Sequence, residues 1–329
     1  MEVVALVPAL DHVCTRYRVL QFKNYFQQAG ISLTIEQLAP TFRLRIRQML
    51  RRRKIVLLQR KLIPEWQFGL LRRTSEKIIY DFDDAVFLRD SFDNVENESL
   101  TRKRRFAKIL RGSDLIIAGN PFLAQAAGKV TSGDKVVIVP TCVESNAYPV
   151  AAHAEKEEVK LVWIGSKSML RSLGRAAALF EAIGRAVPGL TLRVICNSFP
   201  AFRNLRVERV TWSEDSERTE LANSDVGISW LPDDEWSRGK CGLKVLQYMA
   251  AGLPVIASPV GVHPDLIGAS GVMPSSQEEW VAAVRQLVSD ATARRDMGRE
   301  ARTRIETHFD AKNWGPILAN QLRETVGLA

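Results

Sequence analysis

Two lysines four residues apart, Lys240 and Lys244, stand where a helix begins. Leu243, Val245, Leu246, Met249 and Ala250 recur there at helical spacing, which predicts a helix starting near Lys240 to Gly242. Gly252 and Pro254 stop it. Val255, Ile256 and Ala257 then read as a short buried strand. A helix start offers N–H groups without intrahelical partners and the positive end of the helix dipole. Two ammonium groups beside it make a setting suited to a phosphate. The competing reading is an ordinary helix with solvated lysines.

Other residues have the right type and place for chemistry. Arg16 and Arg18 follow the first strand, where a doubly wound sheet puts its ligand crevice, and suit a diphosphate or an anionic acceptor. A solvated loop is their alternative. Gly165, Ser166 and Lys167 follow a strand of the second half, where small residues let backbone approach a phosphate; a plain turn reads equally well. Asp81, Asp83 and Asp84 end the strand Lys77 to Phe82. Spaced carboxylates invite a divalent cation, but hard cations want several oxygen ligands and substrate phosphates beside them. Asp83 or Asp84 orienting an acceptor or a transferred sugar is the preferred reading. Asp81 reads equally as a loop-capping carboxylate. Asn120, at the end of another strand, is a candidate acceptor contact. The four cysteines and four histidines are scattered without metal-ligand or disulfide spacing, so no metal is expected.

The elements that must position these residues alternate. Strands at 3–8, 31–38, 55–58, 77–82, 114–118 and 136–139 are separated by helical patterns. A polar, proline-containing linker at 144–158 leads to a second alternating series with strands at 160–164, 191–196, 207–212 and 226–230. Alternation of this kind predicts an α/β chain of parallel, doubly wound sheets, and 329 residues suit two domains. Residues 1–143 carry 24 Lys and Arg against 14 Asp and Glu, and the remainder 22 against 23. The basic excess therefore sits in the first half and suggests a polyanionic partner. Its most basic stretch, Thr41 to Lys54, reads as a cationic amphipathic helix, compatible with a membrane interface or with packing on its own sheet. No apolar run is long enough to span a membrane, and the N-terminus reads as a strand and not a signal peptide. A cytoplasmic protein, peripheral at the inner face of the membrane, is the expectation.

Taken in order, Thr15-Arg-Tyr-Arg-Val19, Tyr80-Asp-Phe-Asp-Asp-Ala85, Asn120, Pro140-Thr-Cys-Val143, Trp163-Ile-Gly-Ser166 and Gly239-Lys-Cys-Gly-Leu-Lys244 through Tyr248-Met-Ala-Ala-Gly-Leu-Pro-Val255 carry a resemblance. Over essentially its full length the chain resembles the GT-B-fold glycosyltransferases of sequence family 4, a retaining, nucleotide-sugar-dependent group. The resemblance implies two Rossmann-like domains facing a cleft, 1–143 on the acceptor side and 144–308 on the donor side. It also implies a terminal helix, 309–329, returning to the first domain. It implies no catalytic metal and no cofactor beyond the nucleotide diphosphate sugar. Lys240 and Lys244 would then clamp the departing diphosphate, aided by backbone at Gly242 and Leu243 and by Gly165, Ser166 and Lys167. Family members carry two glutamates eight positions apart here; Gly239 and Gln247 stand in their places. Gln247 can still hydrogen-bond ribose hydroxyls, without charge.

The expected function is transfer of a sugar from a nucleotide diphosphate sugar to a glycan or lipid-linked acceptor, with an anionic membrane surface as a further partner. A nucleotide-sugar epimerase would need proton-transfer groups, for which His12 and His263 are the candidates. A silent nucleotide-sugar-binding protein would suit the missing glutamates. Nucleic acid is not an expected partner, because the basic half lacks interleaved aromatics and any reader motif.

Overall fold

Uninterrupted apolar runs such as Ile55-Val-Leu-Leu58 make strands buried on both faces, as parallel sheets covered by helices require. The structure, a computed structural model, describes residues 1–38, 54–92, 96–156 and 158–328. The basic stretch Thr41–Lys54 lies outside the described residues, Lys54 excepted.

The chain divides into two compact units. The first comprises Met1–Cys142, Asp234–Cys241 and Ala311–Ala329; the second comprises Val143–Asp233 and Gly242–Asp310. The expected boundaries kept 234–241 with the second domain. Here that segment groups with the first, for reasons of packing given below.

In the first unit, β1 (Glu2–Val7), β2 (Ser32–Gln37), β3 (Ile55–Gln59), β4 (Ile78–Phe82), β5 (Leu115–Ala118) and β6 (Val136–Ile138) form one parallel sheet in the order β2-β1-β3-β4-β5-β6. The strand order reverses between β1 and β3, which is where such a sheet opens a crevice at its carboxyl end. Val3, Ala5, Leu57 and Ile79 pack with Phe22, Phe26, Leu318 and Leu322 in its core. The last two belong to the helix Ala311–Thr325, so the terminal helix does return to this unit. Trp314 packs on the same core.

One local expectation fails. The sequence predicts a loop after β1 leading to a helix from Val19. Instead a helix spans Val13–Arg18, with the His12 ring nitrogen accepting from the Cys14 N–H as its cap, and the next helix is Lys23–Gln28. The propensity of the segment did not announce this start, because histidine is not a usual cap.

In the second unit, β7 (Lys160–Ile164), β8 (Thr191–Ile195), β9 (Arg206–Val210), β10 (Val226–Ser229), β11 (Val255–Ala257) and β12 (Gly271–Val272) form a second parallel sheet in the order β12-β11-β10-β7-β8-β9. Its reversal falls between β7 and β10. The core gathers Leu161, Trp163, Phe180, Ile183, Leu192, Ile228 and Trp280. No helix among the described residues is long and apolar enough to cross a membrane.

Candidate active site

In the second unit the helix Leu243–Ala250 starts at Gly242, whose φ of 67° is left-handed and suits glycine alone without strain. One ring seats this helix on the sheet. Tyr248 is fully buried; its hydroxyl accepts from the Ile164 N–H at 3.1 Å and donates to the Ile228 carbonyl at 3.3 Å. Those two residues belong to β7 and β10, so Tyr248 spans the reversal point of the sheet and fixes the helix start beside it. Burial raises the phenol's pKa well above its usual value, the bond from Ile164 only partly opposing it, so the hydroxyl stays protonated and can donate.

Trp163, the fourth residue of β7, lies beneath this helix start. Lys244 Nζ sits 4.4 Å from the centre of its ring, a cation–π arrangement that gives the ammonium a fixed place. A Cβ on Gly165 would fall 2.6 Å from Cη2 of the same ring. One indole thus brings together the helix start and the turn after β7, the two segments expected to hold phosphate. Its Nε1 is buried with no hydrogen-bond partner among the described residues, an orphan donor at the same place. Ser166 and Lys167 follow in a short 3-10 turn, Lys167–Met169, with Ser166 Oγ bonded to Ser168 Oγ at 2.8 Å.

Farther along the helix, Gln247 is buried and its Nε2 donates to Glu217 Oε1 at 3.5 Å. Glu217 also accepts from Trp212 Nε1 at 2.7 Å. A carboxylate from another helix, Glu217–Ala222, thus stands beside the amide that replaces the expected one. His263 is buried, with Nδ1 2.8 Å from the Ser258 carbonyl. Burial, with help from the Lys244 charge, pushes its pKa down to about 4. It is neutral at pH 7.

The first unit holds a charged cluster at its own reversal point. Arg60 follows β3 directly with φ 61°, the one left-handed residue other than glycine among those described. Such backbone costs about 1–3 kcal/mol and is kept where the surroundings enforce it. Its guanidinium reaches Cys14 Sγ at 3.0 Å, Asp83 Oδ1 at 3.3 Å and Asp84 Oδ2 at 2.5 Å. Lys240 Nζ adds a second cation 3.0 Å from Asp84 and stands 3.6 Å from the centre of the Trp236 ring. Burial opposes ionisation of Asp84, but the Lys240 and Arg60 charges outweigh it and hold the carboxyl below its usual range.

Packing explains why Asp234–Cys241 joins this unit. Asn120 caps the helix Pro121–Gly128 through its oxygen, while its amide donates to the Gly239 and Lys240 carbonyls, both at 3.2 Å. Trp236 meets Phe92 edge to face at 5.4 Å. A Cβ on Gly239 would lie 2.6 Å from the Ala85 Cβ, so no side chain fits where a family glutamate was expected.

Several expected residues therefore stand elsewhere than anticipated. Lys240 and Lys244 do not share a helix turn: the helix begins after Lys240, which is bound to Asp84 within the first unit. Arg18 is not on a ligand-facing loop. It is buried in an ion pair with Asp81, and its Nη1 donates to the Val139 carbonyl at 2.7 Å. Asn120 is buried and its amide is used on the chain itself, not left for an acceptor. Arg16 is half-buried, its guanidinium 4.6 Å from the Tyr17 ring centre. No group of three or more acidic, histidine or cysteine side chains among the described residues could hold a metal, and Asp81 and Asp84 are already matched by cations. The sequence alone assigns no role to Arg60, Trp163 or Glu217. Arg60 alone had a signal, its position directly after the strand at the reversal point.

Residues 145–290 match the family described as glycosyl transferases group 1. No curated protein matches the chain in sequence. Among solved structures, sucrose-phosphate synthase from Thermosynechococcus elongatus is similar with a TM-score of 0.76 at 14% identity, covering 100% of each chain. HepE from Anabaena, in complex with UDP and glucose, gives 0.71 at 14% identity over 98% of this chain and 100% of that one. A glycosyltransferase from Rickettsia africae gives 0.74 at 14% identity over 100% and 99%. At such identities these likenesses establish the fold. The chain thus has the GT-B fold throughout, and within residues 145–290 it is similar to the glycosyl transferases group 1 family.

Proposed function

We propose that the protein is a glycosyltransferase that takes a sugar from a nucleotide diphosphate sugar bound by its second unit. The observation that carries the reading is the Trp163 ring, which holds the Lys244 ammonium and the Gly165 turn together beside a helix N-terminus. A developing diphosphate charge needs donors already in place as the anomeric C–O bond breaks. Lys244 supplies a fixed cation, and the first N–H groups of the helix, at Leu243 and Lys244, supply oriented dipoles. Gln247, held by Glu217, faces the task of ribose hydroxyls with an amide.

On the first unit, Asp83 is the carboxylate we assign to orienting an acceptor hydroxyl, with Arg60 fixing it. Asp84 and Lys240 form the anchor of the 234–241 segment. The acceptor is a glycan or a lipid-linked glycan. Retention and independence of metal follow the family resemblance. The epimerase reading loses ground because His12 is spent as a helix cap and His263 is buried and neutral. A silent binding protein keeps one observation, the uncharged Gln247.

Turnover decides between them. Purified protein, a panel of nucleotide diphosphate sugars and a bacterial lipid and glycan extract should release nucleoside diphosphate only when donor and acceptor are both present. A donor-dependent rise in melting temperature without such release would instead establish a silent binder.

A further inference from the structure

The first unit carries a surface that the proposed chemistry does not use. The helix Leu100–Gly112 buries Phe106, Ile109 and Leu110 against its sheet. Its opposite stripe is Leu100, Arg104, Lys108 and Arg111, all exposed and aligned at the spacing of one helix face. Arg102, Lys103 and Arg105 flank the stripe, and the helix holds no acidic residue. Leu100 is 80% exposed and lies at the end of the stripe. Trp66 of the helix Glu65–Thr74 is 48% exposed. Trp66, Thr101, Arg104 and Arg105 line one groove of ≈ 520 Å³.

Exposed tryptophan and leucine on two helices that also carry exposed cations are costly in water without a partner that takes both. Charge complementarity selects an anion-bearing partner, and the exposed apolar side chains select one with an apolar interior below the charge. We propose that this face docks on a membrane containing anionic lipid headgroups, Trp66 and Leu100 entering the interface and Arg104, Lys108 and Arg111 engaging the headgroups. Arg104 also pairs with Glu65 at 3.2 Å, an exposed contact that headgroup phosphates can replace. The two helices follow β3 and β4, so their first turns lie at the carboxyl end of the sheet, the end that carries Asp83 and Asp84. Docking there would present a lipid-linked acceptor to that end. The use we give the surface rests on the proposed transfer; the docking itself does not.

Vesicle flotation tests it with the full chain and two variants, Trp66→Ala with Leu100→Ser, and Arg104→Gln with Lys108→Gln and Arg111→Gln. The wild type is expected to float with phosphatidylglycerol vesicles and not with phosphatidylcholine vesicles. Each variant should lose about tenfold or more of that binding while keeping the wild-type melting temperature and its nucleotide-sugar-induced rise. Failure of the wild type to float, or unchanged flotation of either variant, overturns the proposal. So does a loss confined to the charge variant accompanied by equally tight binding to soluble heparin, which marks a polyanion site. The nucleotide-sugar response reports the proposed function separately in every case.

Discussion

Asp84 is the residue whose surroundings make the sharpest statement about charge. Its carboxyl ordinarily titrates at 3.8 and is held lower in the folded protein by Lys240 and Arg60, against the opposing effect of burial. A depressed carboxyl contributes stability in full above its ordinary value and loses it as pH falls through the folded value. Asp84→Asn should therefore be less stable than wild type at pH 7, with the difference shrinking as pH falls below about 4. Thermal melts of both proteins between pH 7 and pH 3 measure this. A gap that stays constant with pH would show that Asp84 is not the ionised partner of Lys240. Arg18 teaches a related lesson about reading residues singly. Its position after β1 pointed to a ligand, yet a buried Asp81 three strands away in sequence order claims it. Nothing in the spacing of residues 18 and 81 shows that pairing, because strand order and not sequence distance brings them together.

At the scale of elements, the stretch from Lys240 to Ala257 is two pieces, parted between Cys241 and Gly242. Its helix and strand were legible from apolar spacing, and Val255–Ala257 falls where expected. The break before Leu243 was not, because Lys240 and Gly239 are governed by Ala85, Asp84 and Asn120, which pattern along the chain does not reveal. The absent family glutamate then has a steric account. Gly239→Glu should not strengthen donor binding; it should destabilise by about 1–3 kcal/mol, as overpacking against Ala85 demands. A melting curve together with donor titration of that variant measures both effects. Stability equal to wild type would mean that the segment does not pack on Ala85 as described. The alternation of strands and helices was legible throughout for the opposite reason: each parallel strand is buried on both faces and leaves a continuous apolar run, as in β3, β5 and β7. The helix Val13–Arg18 was missed because its cap is a histidine side chain.

For the whole molecule, each unit is a doubly wound sheet with charged or aromatic side chains gathered where its strand order reverses. In the first unit that place holds Arg60, Cys14, Asp83 and Asp84; in the second it holds Tyr248, Trp163 and Lys244. The family match lies in residues 145–290, where the second of these places is built. Charge asymmetry is visible in the sequence and points to the first half, but its most basic stretch, Thr41–Lys54, lies outside the described residues except for Lys54. The helix Leu100–Gly112, with six Lys and Arg and no acidic residue, supplies a described surface instead. The central claim is that the second unit binds a nucleotide diphosphate sugar through Lys244. Titration calorimetry of wild type and Lys244→Ala with UDP-, GDP- and ADP-sugars tests it most directly. At least one donor should bind the wild type, and Lys244→Ala should bind that donor about ten- to a hundredfold more weakly at unchanged melting temperature. Absence of binding by every donor, or equal affinity in the variant, would contradict it.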